Sequence, residues 1–123
     1  MIVIDTSALI DSLCGFRRSA PRLRRLIEDG ERIVMPAIVL YEWLRGPRLH
    51  EELLAQEELF PSAQAIEFGA PEAAFAAELY RTLRRSRGRE IDLAIAATAI
   101  LRDAAIWTLN PADFKDVSGL ALV

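Results

Sequence analysis

The sequence predicts an α/β domain with a central, mostly parallel sheet and helices on both of its faces. Two observations carry that expectation. Short apolar runs of strand length alternate with longer segments of helical character. The gaps between those runs are too long for hairpins, so the strands are joined by crossovers and pair in parallel. At 123 residues one core suffices, and a hydrophobic content of 52% can fill it. No repeat, low-complexity stretch or linker divides the chain, so residues 1–123 read as one domain.

Each element follows from local signals. Residues 2–5 (IVID) form a short buried strand, and Thr6 or Ser7 caps a helix through ALIDSL, broken at Gly15. Pro21 stands near the start of a second helix that stops at Gly30. Residues 32–35 (RIVM) are the second strand. After Pro36, AIVLYEWLRG is apolar nearly all round, which predicts a buried helix ending near Gly46. A polar helix follows through HEELLAQEEL, and residues 63–67 (AQAIE) suggest a weak third strand. From Pro71 to Arg87 the pattern predicts a long amphipathic helix, with Ala74, Ala77, Leu79, Tyr80 and Leu83 on one side. Gly88 separates it from a helix through EIDLAIAATAILRDA. AIWTL is a strand, NPADF a turn and LALV a last short strand.

Composition narrows the function classes. A net charge of −3 excludes a basic nucleic-acid coat protein. Cys14 is the single cysteine, which excludes a disulfide framework or a cysteine-rich zinc site and fits a cytoplasmic location. The apolar runs are too short to span a bilayer, and MIVID lacks the basic start of a secretory signal. Lys115 is the only lysine. The arginines cluster at 17–25 and 81–89, as phosphate-gripping sets or as solvated helix faces.

Three of the most apolar stretches each contain one acid and no other charge: MIVIDTSALI with Asp5, VMPAIVLYEWL with Glu42, and IDLAIAATAIL with Asp92. A buried carboxylate is costly without compensation. With no cation inside those stretches, a shared divalent metal is the economical answer. Asp113 in the NPAD turn is a fourth candidate. Each acid also has a structural reading. Asp5 can cap a helix, Asp92 can favour a helix dipole, and Asp113 can shape a turn. Glu42 is harder to explain so, because it interrupts an apolar helix. Four converging carboxylates suit Mg²⁺ or Mn²⁺, hard cations that prefer oxygen ligands, and such ions commonly act on phosphate esters. His50 lies in a polar segment and reads as a surface residue. Ala96 and Ala99, on the same helix face as Asp92, permit close packing there.

At these residues the chain resembles the PIN-domain family, specifically the VapC-type toxin ribonucleases of toxin–antitoxin pairs. The matching segments are IVIDTSALID, AIVLYEWLRG, IDLAIAATAI and WTLNPADF, in the family's order and over nearly the whole chain. The resemblance implies a Rossmann-like fold and an endoribonuclease dependent on Mg²⁺ or Mn²⁺. It maps the family's acids onto Asp5, Glu42, Asp92 and Asp113, with Asp116 as a substitute for the last. Thr6 and Ser7 match the hydroxyl residues after the first acid, and Thr108 and Asn110 the polar positions of the closing motif. The resemblance further implies an RNA substrate, a VapB-type antitoxin and a homodimer. It gives the arginines a use in guiding RNA toward an acidic site. Tyr41, Trp43, Phe75 and Leu79 become candidates for apolar interfaces, although core packing suits each as well. Residues 46–70 match no motif and are the place for specificity. The alternatives are a non-catalytic RNA- or partner-binding module and a phosphatase with Asp5 as nucleophile. The latter class needs a second aspartate where Ser7 stands.

Overall fold

The computed structural model describes residues 1–123. Strands β1 (Ile2–Ile4), β2 (Ile33–Val34) and β3 (Ala105–Trp107) form one parallel sheet in the order β2-β1-β3. Six α-helices connect and cover it: α1 (Thr6–Leu13), α2 (Ala20–Glu28), α3 (Ala37–Arg45), α4 (His50–Leu59), α5 (Ala70–Thr82) and α6 (Glu90–Leu101). This is the expected fold class. None of the helices is long and apolar enough to cross a membrane.

β1 is central because all three of its residues are apolar. Side chains alternate between the faces of a strand, yet Ile2, Val3 and Ile4 are all buried, so both faces are covered. Truncation of Ile4 to alanine would cost about 2–5 kcal/mol, the scale of an unfilled core cavity. α6 lies against β1 and β3. Seven consecutive residues of that helix, Leu93 to Ala99, are buried. Its alanines allow that approach, since a helix enclosed on all sides has no room for bulk.

Both outer strands are thinner than expected. The 63–67 segment contains a 3₁₀ turn at Ser62–Gln64, and only Ile66 pairs with the sheet, through a parallel bridge to Pro36. LALV likewise contributes one bridge, Leu122 to Ile106. Pro36 has no N–H to continue a ladder. α3 is also less buried than its composition suggests: Val39 and Trp43 face the core, while Tyr41 and Leu44 are more than half exposed.

α5 departs furthest from expectation. It ends at Thr82, not Arg87, because Leu83 turns to extended backbone. The buried Ser86 hydroxyl donates to the carbonyls of Tyr80 and Leu83, which would otherwise call for further helical turns. Its inner face is Glu72, Phe75, Ala76, Leu79 and Leu83, so Ala74, Ala77 and Tyr80 point outward instead. Glu72 is tolerated inside through an ion pair with Arg102 at 3.5 Å. Trp43 and Leu79 are core residues, Phe75 is half-buried, and His50 is exposed as expected.

Candidate active site

Asp5 follows β1 at the carboxyl edge of the sheet, where open α/β sheets place their sites. Its backbone N–H donates to the Trp107 carbonyl at 2.9 Å, so the ladder with β3 fixes it. Asp5 holds the N-cap position of α1, but its carboxylate does not cap the helix. Instead Oδ2 accepts hydrogen bonds from Ser7 Oγ and Thr108 Oγ1, both at 2.7 Å. The two hydroxyls stand 3.3 Å apart. Each is oriented by the loop that follows β3: Leu109 N–H donates to Ser7 Oγ and Asn110 N–H to Thr108 Oγ1, both at 3.0 Å. Asn110 thus contributes its backbone rather than its side chain. Asp5 is 5% exposed, and its Oδ1 makes no hydrogen bond.

Glu42 projects from the middle of α3. Thr6 Oγ1, at the first position of α1, donates to its Oε1 at 2.5 Å. Arg45, one turn along, pairs with Oε2 at 3.2 Å. No cation lies inside the apolar stretch, but Glu42 draws one from just beyond it. Arg45 lies just outside the apolar stretch, within reach at the i, i+3 spacing of a helix.

Asp92 occupies the first turn of α6. Its carboxyl is pushed up to about 6, first by burial, then by the negative charges of Asp5, Asp113 and Glu42, with Arg89 opposing. Those three are the acids that the sequence singled out, so the fold brings all four into one electrostatic neighbourhood. They converge without closing: no three histidine, cysteine, aspartate or glutamate side chains stand together as a ready-made metal cage.

Asp113 ends the 3₁₀ turn Pro111–Asp113 and is exposed. The turn is clamped by Arg89, the residue before α6, which the sequence marked only as a member of the 81–89 arginine cluster. Arg89 donates to the Asp113 carbonyl at 2.7 Å and grips both oxygens of Asp116 at 2.7 and 2.9 Å. Asp116 is drawn below the usual carboxylate range by that contact. Its carboxylate is thus already paired, and it does not appear among the charges acting on Asp92. Of the two, Asp113 is the one whose charge acts on Asp92. A glycine–arginine step three residues before a lone acid was the available signal, but Arg89's partners lie 24 and 27 residues away.

The residues fit a hard divalent cation. Mg²⁺ is commonly held by one or two carboxylates and several waters, so a set of acids that does not close into a cage is still compatible with it. Asp5 offers an unpaired oxygen, and Asp92 carries the repulsion that a cation would relieve.

Residues 2–120 match the model of the PIN domain family. The chain is 37% identical over 116 residues to ribonuclease VapC19 of Mycobacterium tuberculosis, across 93% of this chain and 92% of that protein. Among solved structures it is similar to DNA-bound VapBC from Salmonella typhimurium, with a TM-score of 0.78, 20% identity, and coverage of 99% of this chain and 96% of that one. VapBC2 from Rickettsia felis, bound to a promoter DNA fragment, gives 0.75 at 22% identity, covering 100% and 98%. At such identities these two likenesses speak to the fold.

Proposed function

The chain belongs to the PIN-domain family, and on that premise we propose that it is a metal-dependent endoribonuclease, the toxin of a VapBC-type pair. The observation that carries this reading is the crowding of Asp5, Glu42 and Asp113 on Asp92. The identity to a relative named as a ribonuclease supports it.

Asp5, Glu42 and Asp92 would hold Mg²⁺ or Mn²⁺, with Asp113 completing the set. When bound, the ion supplies an activated water and charge stabilisation at the attacked phosphate. The chain's own residues do the rest. Ser7 and Thr108 saturate one Asp5 oxygen and leave the other free. Thr6 fixes Glu42 relative to the first turn of α1. Asp92 holds its proton more tightly than a free carboxyl, and a cation that offsets its neighbours would favour its anionic form. Arg89 holds the Asp113 turn against the start of α6.

The similar solved structures include toxin–antitoxin assemblies, which supports a VapB-type antitoxin as partner; a homodimeric toxin and a cytoplasmic setting complete the proposal. The test is cleavage of RNA with Mg²⁺ or Mn²⁺ by the wild type and by Asp5→Asn and Asp92→Asn. Cleavage by the wild type alone is expected; equal cleavage by all three would mark a contaminating nuclease and end the reading. The open spacing of the acids favours one rival, a PIN-like binding module without catalysis. Calorimetry separates them: an enzyme should bind Mn²⁺ at a site lost in Asp5→Asn, and a binding-only module should not.

A further inference from the structure

Four acids around one site repel a polyanion, and the chain as a whole carries a net charge of −3. An RNA substrate therefore needs local cations beside the cluster. The two arginine groups differ in what holds them. In the first, Arg18 lies over Phe16 at 5.5 Å and Arg22 over the Trp107 ring at 5.7 Å, and no hydrogen bond or ion pair ties the group to the acids. The second is built into the site's wall. Arg84, Arg85 and Arg87 are exposed, and the chain's ion pairs involve only Arg45, Arg89 and Arg102.

The backbone that carries these three arginines is pinned at several points. Buried Ser86 anchors it to the end of α5. Arg89 N–H donates to the Ser86 carbonyl at 2.9 Å, and Gly88 reverses the chain at φ +84°. The Arg89 guanidinium reaches the Arg85 carbonyl at 3.1 Å while it holds Asp113 and Asp116. One side chain thus fastens the arginine turn to the acid-bearing turn.

We propose that the turn from Leu83 to Arg89 is a docking rail that grips RNA phosphates beside the acid cluster, through Arg84, Arg85 and Arg87. The inference deepens the ribonuclease reading and rests on it. Guanidinium groups bind phosphate through paired, charge-assisted hydrogen bonds. Cations displayed from a fixed backbone lose less freedom on binding than those on a loose tail.

The experiment replaces all three arginines with glutamine in the full chain. Fluorescence anisotropy then follows a mixed-sequence, labelled single-stranded RNA bound to the cleavage-deficient Asp5→Asn protein across a salt series. Loss of three phosphate contacts should flatten the slope of log affinity against log salt by about 2. In the cleaving protein, KM for the same RNA should rise with kcat nearly unchanged. A matched Arg17, Arg18 and Arg24 triple variant should leave the slope intact. If the triple variant of the 84–87 turn does not fold, Arg84→Gln and Arg87→Gln singly should each flatten the slope by about 0.7. An unchanged slope in the 84–87 variants overturns the rail, as does a loss confined to the 17–24 set. An acidic protein segment as the true occupant would give that first result. Salt-dependent RNA binding through these arginines by a wild type that cleaves nothing would defeat the ribonuclease reading and leave the rail standing.

Discussion

Asp5 and Asp113 both press their charge on Asp92, each from its own wall of the site, and the chain secures them in opposite ways. Asp5 sits at a strand end, is 5% exposed and takes two hydroxyl donors on one oxygen. Asp113 is exposed on a one-turn 3₁₀ segment, and the clamp on it grips its backbone carbonyl rather than its carboxylate. One wall is fixed down to the individual oxygen. The other fixes only where the turn lies and leaves the carboxylate free to adjust. On the proposed reading, the first wall sets where the ion sits, and the second accommodates what approaches it.

Substitutions test that inequality. Asp5→Asn should cost most, about a thousandfold in cleavage, the scale of removing a principal electrostatic group from a site. If Asp113→Asn loses as much, the two walls are equivalent and the comparison fails. Thr108→Val should come next. It strips one donor from a buried carboxylate, for about 1–3 kcal/mol of folding stability by thermal or denaturant unfolding. A variant as stable as the wild type would mean that Ser7 alone suffices.

The pH behaviour of Asp92 sharpens the picture between the walls. Its carboxyl is raised from 3.8 to about 6 in the folded chain. Between those values the folded chain binds a proton that the unfolded chain does not, so stability from this group falls as pH rises. In EDTA, Asp92→Asn should therefore melt higher than the wild type at neutral pH, with the gap closing toward pH 4. Added Mn²⁺ should reverse the order by stabilising only the wild type. A gap independent of pH would mean that the acids do not crowd Asp92. The smallest effects belong to the open wall. Asp113→Asn should lower cleavage about tenfold, equivalent to about 1.4 kcal/mol of transition-state stabilisation. Asp116→Asn, with a half-exposed partner to Arg89, should cost no more than about 1 kcal/mol of stability.

Much of the fixed wall was legible in the sequence. A strand run that ends in an acid followed by two hydroxyl residues places Asp5, Thr6 and Ser7, and an acid at the head of an alanine-rich helix places Asp92. The open wall was less so. Arg89 and Arg45 look like members of arginine-rich surroundings, and only tertiary distance shows that one clamps a turn and the other pairs with Glu42. The end of α5 was misjudged because arginine and serine do not stop a helix by propensity; the Ser86 side chain does so by taking two carbonyls. Edge strands failed for a related reason. A two- or three-residue extension gains little without a neighbour on its far side, so the 63–67 and 120–123 segments each reduce to one bridge.

The enclosed alanines of α6 bear on a genetic experiment. If expression of this chain arrests growth, survivors of random mutagenesis should not carry changes at the acids alone. Ala96, Ala97 and Ala99 have no exposed surface. Any larger residue there must shift the helix that begins just before Asp92, at a typical overpacking cost of about 1–3 kcal/mol. A map of escape mutations should therefore show a second band across these small residues, populated by folded chains whose Asp92 has been carried out of place.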